Sequence, residues 1–157
     1  MVAARLRAVR TQATGILVLG VAGGLLCACS SGVEATAPPR AGSPACAKAA
    51  EAWPSTVHGQ ERVETSAASP AVAAWGDPAV IARCGLAPLG PTTEECLSVD
   101  DIDWVVRQLS DGAAFTTFGR DPAIEVLVPK AYSPEPLLLP AFGAAARALP
   151  AKGRTCN

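Results

Sequence analysis

"IDWVVRQLSDGAAFTTFGRDPAIEVLVP", Ile102 to Pro129, is the stretch that decides the fold. Ile102–Leu109 sets Trp104 and Val106 against Val105 and Arg107, the period of two that marks a strand. Asp111-Gly112 then predicts a tight hairpin. Ala113–Gly119 places Phe115 and Thr117 on one face, Thr116 and Phe118 on the other. Gly119-Arg120-Asp121-Pro122 turns the chain again, and Ala123–Pro129 points Ile124, Val126 and Val128 inward with Glu125 outward. Three strands joined by short turns predict an antiparallel meander.

Upstream, "AVIARC" (Ala79–Cys84) predicts a fourth strand, with Arg83 breaking one apolar face. Ser43-Pro44 reads as a helix start, Cys46, Ala49, Ala50 and Trp53 recur on one helical face, and Pro54 stops the run. Val57 to Pro78 is interrupted by Gly59, Pro70, Gly76 and Pro78 and reads as a long loop, with a helical turn at Ala71–Trp75. Downstream, Ser133-Pro134-Glu135 predicts a second helix carrying Leu138, Phe142, Ala145 and Leu149, kinked at Pro140. The expected fold class is α+β: a four-stranded, mostly antiparallel sheet flanked by N- and C-terminal helices and stabilised by disulfides. Both helices are expected on one face of the sheet.

The amino-terminal region reads differently. Met1–Thr14 holds Arg5, Arg7 and Arg10 without an acid, and "GILVLGVAGGLL" (Gly15–Leu26) is apolar and uncharged. That order is a secretory signal. Twelve residues make only about 18 Å of helix, too short for a hydrocarbon core of about 30 Å. "Leu26-Cys27-Ala28-Cys29" followed by Ser30-Ser31-Gly32 resembles the end of a bacterial lipoprotein signal. In that resemblance Cys29 is the lipid acceptor, because Ala28 is the small residue before the cut. The rival is ordinary cleavage after Ala35-Thr36-Ala37, where Pro38 is a poor residue to follow. The expected organisation is a signal over 1–28, a lipidated tether over 29–45 rich in Ser, Ala, Pro and Gly, and one domain over 46–157. A diacylglyceryl group carries two chains, enough for stable anchoring on the extracytoplasmic face of the cell membrane.

Of six cysteines, Cys27 leaves with the signal and Cys29 carries lipid, so Cys46, Cys84, Cys96 and Cys156 remain. An even number in an oxidising compartment implies two disulfides, with three connectivities open. The expected pairs are Cys84–Cys96, a local bridge, and Cys46–Cys156, tying the two ends. No C-x-x-C occurs and His58 is the only histidine, so neither a metal clip nor a Ser/His/acid triad is indicated. No G-x-S-x-G elbow accompanies it.

Without the three arginines of the signal, ten basic residues face fourteen acidic ones. A mildly acidic domain lacking a Lys/Arg cluster is not expected to bind nucleic acid. The one acid cluster, Glu94-Glu95 through Asp100-Asp101-Ile102-Asp103, lacks the spacing and glycine of a calcium loop. Asp101 and Asp103 can share a face, which leaves a hydrolase as the enzymatic alternative.

Trp75-Gly76, Arg83-Cys84-Gly85, Trp104 and "FTTFGR" (Phe115–Arg120) carry a resemblance to the domain-of-unknown-function family 3515, over about Cys46 to Cys156. The family consists of exported, often lipid-anchored actinobacterial proteins. The resemblance implies an envelope location and no particular chemistry.

Arg83, Arg107, Arg120 and Glu125 are charged residues in the strand region. A cross-strand ion-pair ladder explains them without function. Their functional reading is a binding face made of Trp75, Arg83, Trp104, Arg107 and Arg120, with the tryptophans as aromatic anchors. The expected function is therefore a lipid-anchored envelope module that binds another envelope protein or a wall component, without cofactor, metal or catalytic residue. A hydrolase near residues 100–103 and a small-ligand lipoprotein with a cleft between helices and sheet are the alternatives.

Overall fold

The computed structural model describes residues 32–156. The expected signal over 1–28 and the expected lipid acceptor Cys29 lie outside the described residues. In chain order the elements are α1 (Pro44–Glu51), β1 (Thr56–Val57), β2 (Gln60–Val63), β3 (Val72–Trp75), β4 (Val80–Leu86), β5 (Cys96–Val99), β6 (Ile102–Leu109), β7 (Gly112–Thr117), β8 (Ala123–Pro129) and α2 (Gly143–Arg147). Short 3₁₀ helices cover Lys130–Tyr132 and Glu135–Phe142.

The sheet has eight strands, not four, in the order β1-β2-β3-β4-β8-β7-β6-β5. Every neighbouring pair is antiparallel. Two four-stranded meanders each run from an edge to the centre, where β4 pairs with β8. The fold is thus mostly β, with one helix of eight residues and one of five.

The unexpected strands have local causes. His58-Gly59, between β1 and β2, has φ of 49° and 76°; Asp100-Asp101, between β5 and β6, has 51° and 62°. Positive φ at both central residues is what a two-residue type I′ hairpin requires. Val57 then faces Gln60, and Val99 faces Ile102. β3 replaces the expected helical turn: Trp75 pairs with Val80 and Ala73 with Ala82. The β6–β7 hairpin turns on Ser110-Asp111, with Gly112 already paired to Leu109. Gly112 is needed for closeness, since a Cβ there would lie 2.0 Å from the Val128 carbonyl oxygen.

One face of the sheet is covered by both helices and the Glu135–Phe142 segment. Trp53, Trp75 and Phe142 meet edge to face, with centroids 5.4–6.4 Å apart. Trp104, Phe115, Ile124 and Val126 complete this core, and Leu138, Leu139 and Ala145 close it from above. The space between helices and sheet that a small-ligand reading needs is occupied by these rings. Ser43 caps α1 by accepting the Cys46 N–H at 3.2 Å, with Pro44 in the first turn. The expected C-terminal helix is divided because Pro136 and Pro140 offer no N–H; the chain takes 3₁₀ turns and becomes α-helical only at Gly143.

The disulfides are Cys46–Cys84 and Cys96–Cys156, with Cα separations of 5.5 and 5.7 Å. The expected Cys84–Cys96 and Cys46–Cys156 pairs are excluded by topology. β8, β7 and β6 lie between β4 and β5, so Cys84 and Cys96 are about 19 Å apart at about 4.8 Å per strand. A disulfide spans at most about 7 Å between Cα atoms. Cys46 instead sits on α1 directly over β4, and the C-terminal segment ends beside β5.

The stretch read as a tether contacts the domain from Gly32 onward. Val33 bridges Thr65, Pro38 is buried, and the Arg40 N–H donates to the Gly85 carbonyl at 3.1 Å.

Candidate functional site

The five residues expected on one binding face do not converge. Trp75 and Trp104 are 0% exposed and belong to the helix-covered core. The Trp75 indole donates to the Pro54 carbonyl at 3.0 Å, whereas the buried Trp104 Nε1 has no partner among the described residues. Arg120 lies at the sheet end, bridging Ala151 and donating to the Leu149 carbonyl at 3.0 Å. Only Arg83 and Arg107 project from the second face, by strand alternation opposite to Cys84 and Val106.

That second face is built in rows. Val72, Arg83, Glu125, Thr116 and Val105 stand side by side across β3, β4, β8, β7 and β6. Ala74, Ile81, Leu127, Ala114 and Arg107 form the next row. These residues lie outside the helix-covered core cluster. Small and branched apolar side chains therefore surround one charged centre.

The centre is Glu125, whose side chain is 5% exposed. Arg83 Nε and Nη2 both donate to its Oε1, the former at 2.8 Å. Arg107 reaches Oε2 at 3.4 Å from across β7, where Ala114 presents only a methyl group between them. A carboxylate so far removed from water requires such partners, because an unpaired buried charge is costly. The Arg107 side chain is 57% exposed and Arg83 29%. Arg107 is the more exposed of the two guanidiniums, while Asp103 on β6 and Glu61 on β2 stand on the same face by strand alternation. The ladder expected from sequence is present for Arg83, Arg107 and Glu125 but not for Arg120, and its hub is Glu125, which the alternation of β8 places only as outward-facing. An acid inside an otherwise apolar strand, with an arginine in each of two other strands, is the available signal.

The acid cluster does not form a catalytic pair. Asp100 and Asp101 are exposed and serve as the hairpin turn, while Asp103 Oδ2 accepts the Cys156 N–H at 2.8 Å. His58 occupies the other such turn, its ring edge-on to Tyr132 at 6.1 Å. Among the described residues no cluster of three or more His, Cys, Asp or Glu is placed to hold a metal ion. Asp121, bound by Arg40 and approached by Lys152 at 3.6 Å, has its carboxyl held below the usual carboxylate range by the Arg40 hydrogen bond.

Two open clefts flank the second face. One, of about 530 Å³, lies between Thr93, Glu94 and Phe118 on one side and Arg154 and Cys156 on the other. The other, of about 660 Å³, is lined by Val33, Val63, Pro78 and Ala79, next to Gly32.

A family profile described as "Protein of unknown function (DUF3515)" matches residues 16–153. The chain belongs to this family. No curated protein and no solved structure matches it. In this DUF3515 protein the chemistry of the site is therefore read from its own residues.

Proposed function

We propose that this DUF3515 protein is a lipid-anchored, non-enzymatic binding module of the actinobacterial cell envelope, exported by a signal over 1–28, and that its partner docks on the second face of the sheet. The observation that carries the reading is that face, outside the helix-covered core: buried Val72, Ala74, Val105 and Ala114 and half-buried Ile81 and Leu127 surround a carboxylate held by Arg83 and capped by the exposed Arg107. The exposed Arg107 guanidinium suits an envelope protein or wall component that offers it a carboxylate or phosphate.

Anchoring at Cys29 is supported by the cysteine count. The four cysteines that follow Cys29 pair with one another, as an oxidising compartment favours. Gly32 begins the described residues beside β2 and Pro78, and three residues span at most about 11 Å. A lipid on Cys29 would hold that edge of the sheet near the membrane and leave the second face open to one side.

The test is site-specific photocrosslinking in intact cells. A photoreactive residue at Leu127 or Arg107 should yield a discrete adduct that Arg107→Glu, combined with the Leu127 probe, abolishes. The same probe at exposed Ala144, on the helical side, should yield none. Equal adducts from both positions would overturn the assigned face. Separately, Cys29→Ser should release the protein or leave its precursor uncut; wild-type anchoring in that variant would refute the lipid assignment alone.

A further inference from the structure

The two disulfides stand in different surroundings. Cys46 and Cys84 are both 0% exposed, enclosed between α1 and β4. Cys96 and Cys156 are half-buried, and both line the open cleft of about 530 Å³. Cys96 lies on the edge strand β5. Cys156 lies on the segment after α2, whose residues Ala151 to Thr155 are all exposed.

That segment is a strap across the end of the sheet. Lys152 N–H donates to the Gly119 carbonyl, Cys156 N–H to Asp103 Oδ2 and the Arg154 guanidinium to the Leu89 carbonyl, each at 2.8 Å. Gly119 admits it, since a Cβ there would sit 2.1 Å from the Arg154 carbonyl oxygen. The start of the strap is further tied by the Arg120–Ala151 bridge and by Lys152 beside Asp121 at 3.6 Å, whereas among the described residues the stretch from Gly153 to Cys156 has only the Arg154 and Cys156 bonds, each contributing modestly in water. The far end of the strap, at Cys156, is therefore held chiefly by its disulfide, which closes a loop across 60 positions of sequence.

We propose that Cys96–Cys156 is a thiol-exchange site for a small dithiol reductant, and that its opening frees the strap from the sheet. This inference is independent of how the chain is anchored. The cleft gives a thiolate access to Sγ of Cys156, with Arg154 on the wall as the cation it meets and Glu94 as the opposing charge. Attack forms a mixed disulfide at Cys156 and releases Cys96 as a thiolate, which takes a proton. The second thiol of the reductant then attacks its own mixed-disulfide sulfur. Cys156 leaves as a thiolate and is protonated, and the reductant departs as a cyclic disulfide. Two electrons pass from the dithiol to the protein disulfide. The buried Cys46–Cys84 pair offers no such approach without unfolding.

Native mature protein incubated with dithiothreitol, quenched with iodoacetamide and analysed by peptide mass spectrometry provides the test. Cys96 and Cys156 should be alkylated at least ten times faster than Cys46 and Cys84. Opening of both pairs at one rate, or of the buried pair first, would overturn the exchange site. After reduction of Cys96–Cys156 alone, the amide of Cys156 should lose protection from hydrogen exchange; retained protection would overturn the strap's release. In Cys156→Ser, oxidised glutathione should form a mixed disulfide at Cys96 in the folded protein, and an unmodified Cys96 would count against the site equally.

Discussion

The two faces of the sheet are made of the same strands and do opposite work. On one, Trp75, Trp104, Phe115 and Phe142 are covered by helices and excluded from water. On the other, side chains of Val, Ala, Ile and Leu surround a single ion-paired carboxylate, and Arg107 reaches into solvent. Large aromatics and exposed arginine thus segregate by strand parity. A tryptophan and an arginine that are neighbours in sequence space, such as Trp104 and Arg107, cannot share a surface when an odd number of positions separates them. Which side chains pack under the helices and which stand on the second face is chosen by register alone.

The largest test of this division is Trp75→Ala. It removes a ring packed on Trp53 and Phe142 and leaves the Pro54 carbonyl without its donor. A loss of about 3–5 kcal/mol is expected, read as a shift in the urea midpoint. That is a large share of a typical domain's stability of about 5–15 kcal/mol. A loss below about 1 kcal/mol would mean that the covered face is not the core.

The second face is expected to be less sensitive, and unevenly so. Arg83→Ala strands the Glu125 carboxylate with only the 3.4 Å contact to Arg107, and should cost about 2–4 kcal/mol. Arg107→Ala removes a mostly exposed partner and should cost about 1 kcal/mol or less. Replacing both ends, Arg83→Leu with Glu125→Leu, should recover most of the Arg83→Ala loss, because no buried charge is left unpaired. Equal costs for Arg83→Ala and Arg107→Ala would remove the reason to regard Arg107 as free to serve a partner.

How much of this was legible follows the same division. β6 and β8 were readable to their end residues because one face is dry and the other carries Arg107 or Glu125, which produces visible alternation. β3 was not, because all four of its residues are buried and two are alanines, so neither period nor β-branching marks it. β1 and β5 are short, and their turns, His58-Gly59 and Asp100-Asp101, are not the Asn-Gly or Asp-Gly pairs that announce a hairpin. Once β5 is missing, Cys96 has no place in the sheet and its partner cannot be deduced. The candidate site suffered from the same gap. Its residue types were identified, but their faces depend on register, and Arg120 was separated from the others by a turn.

The Asp100-Asp101 turn offers a smaller test. Each aspartate adopts a backbone conformation that costs an ordinary L-residue about 1–2 kcal/mol, less for Asp or Asn. Asp101→Gly should therefore be neutral or slightly stabilising, and Asp101→Val should lose about 1 kcal/mol or more in thermal unfolding. A stable Asp101→Val protein would argue that this acid is not held by the turn.

The smallest effect separates the two kinds of charge in the molecule. Asp121 lies where the two ends of the domain meet: Arg40 comes from the segment before α1, Lys152 from the strap after α2. Its carboxyl is held below the usual range, first by the Arg40 hydrogen bond, with Lys152 adding a smaller attraction. A depressed folded-state value stabilises the protein above the unfolded carboxylate value of about 3.9 and ceases to do so as pH falls through the folded value. Wild type should therefore exceed Asp121→Asn in stability by a constant margin near neutrality, and the margin should vanish in acid below about pH 4. Because Arg40 is 45% exposed, salt near 1 M, with a screening length of about 3 Å, should shrink that margin. The same salt should leave the cost of Arg83→Ala nearly unchanged, since Glu125 is shielded from the ions that reach Asp121.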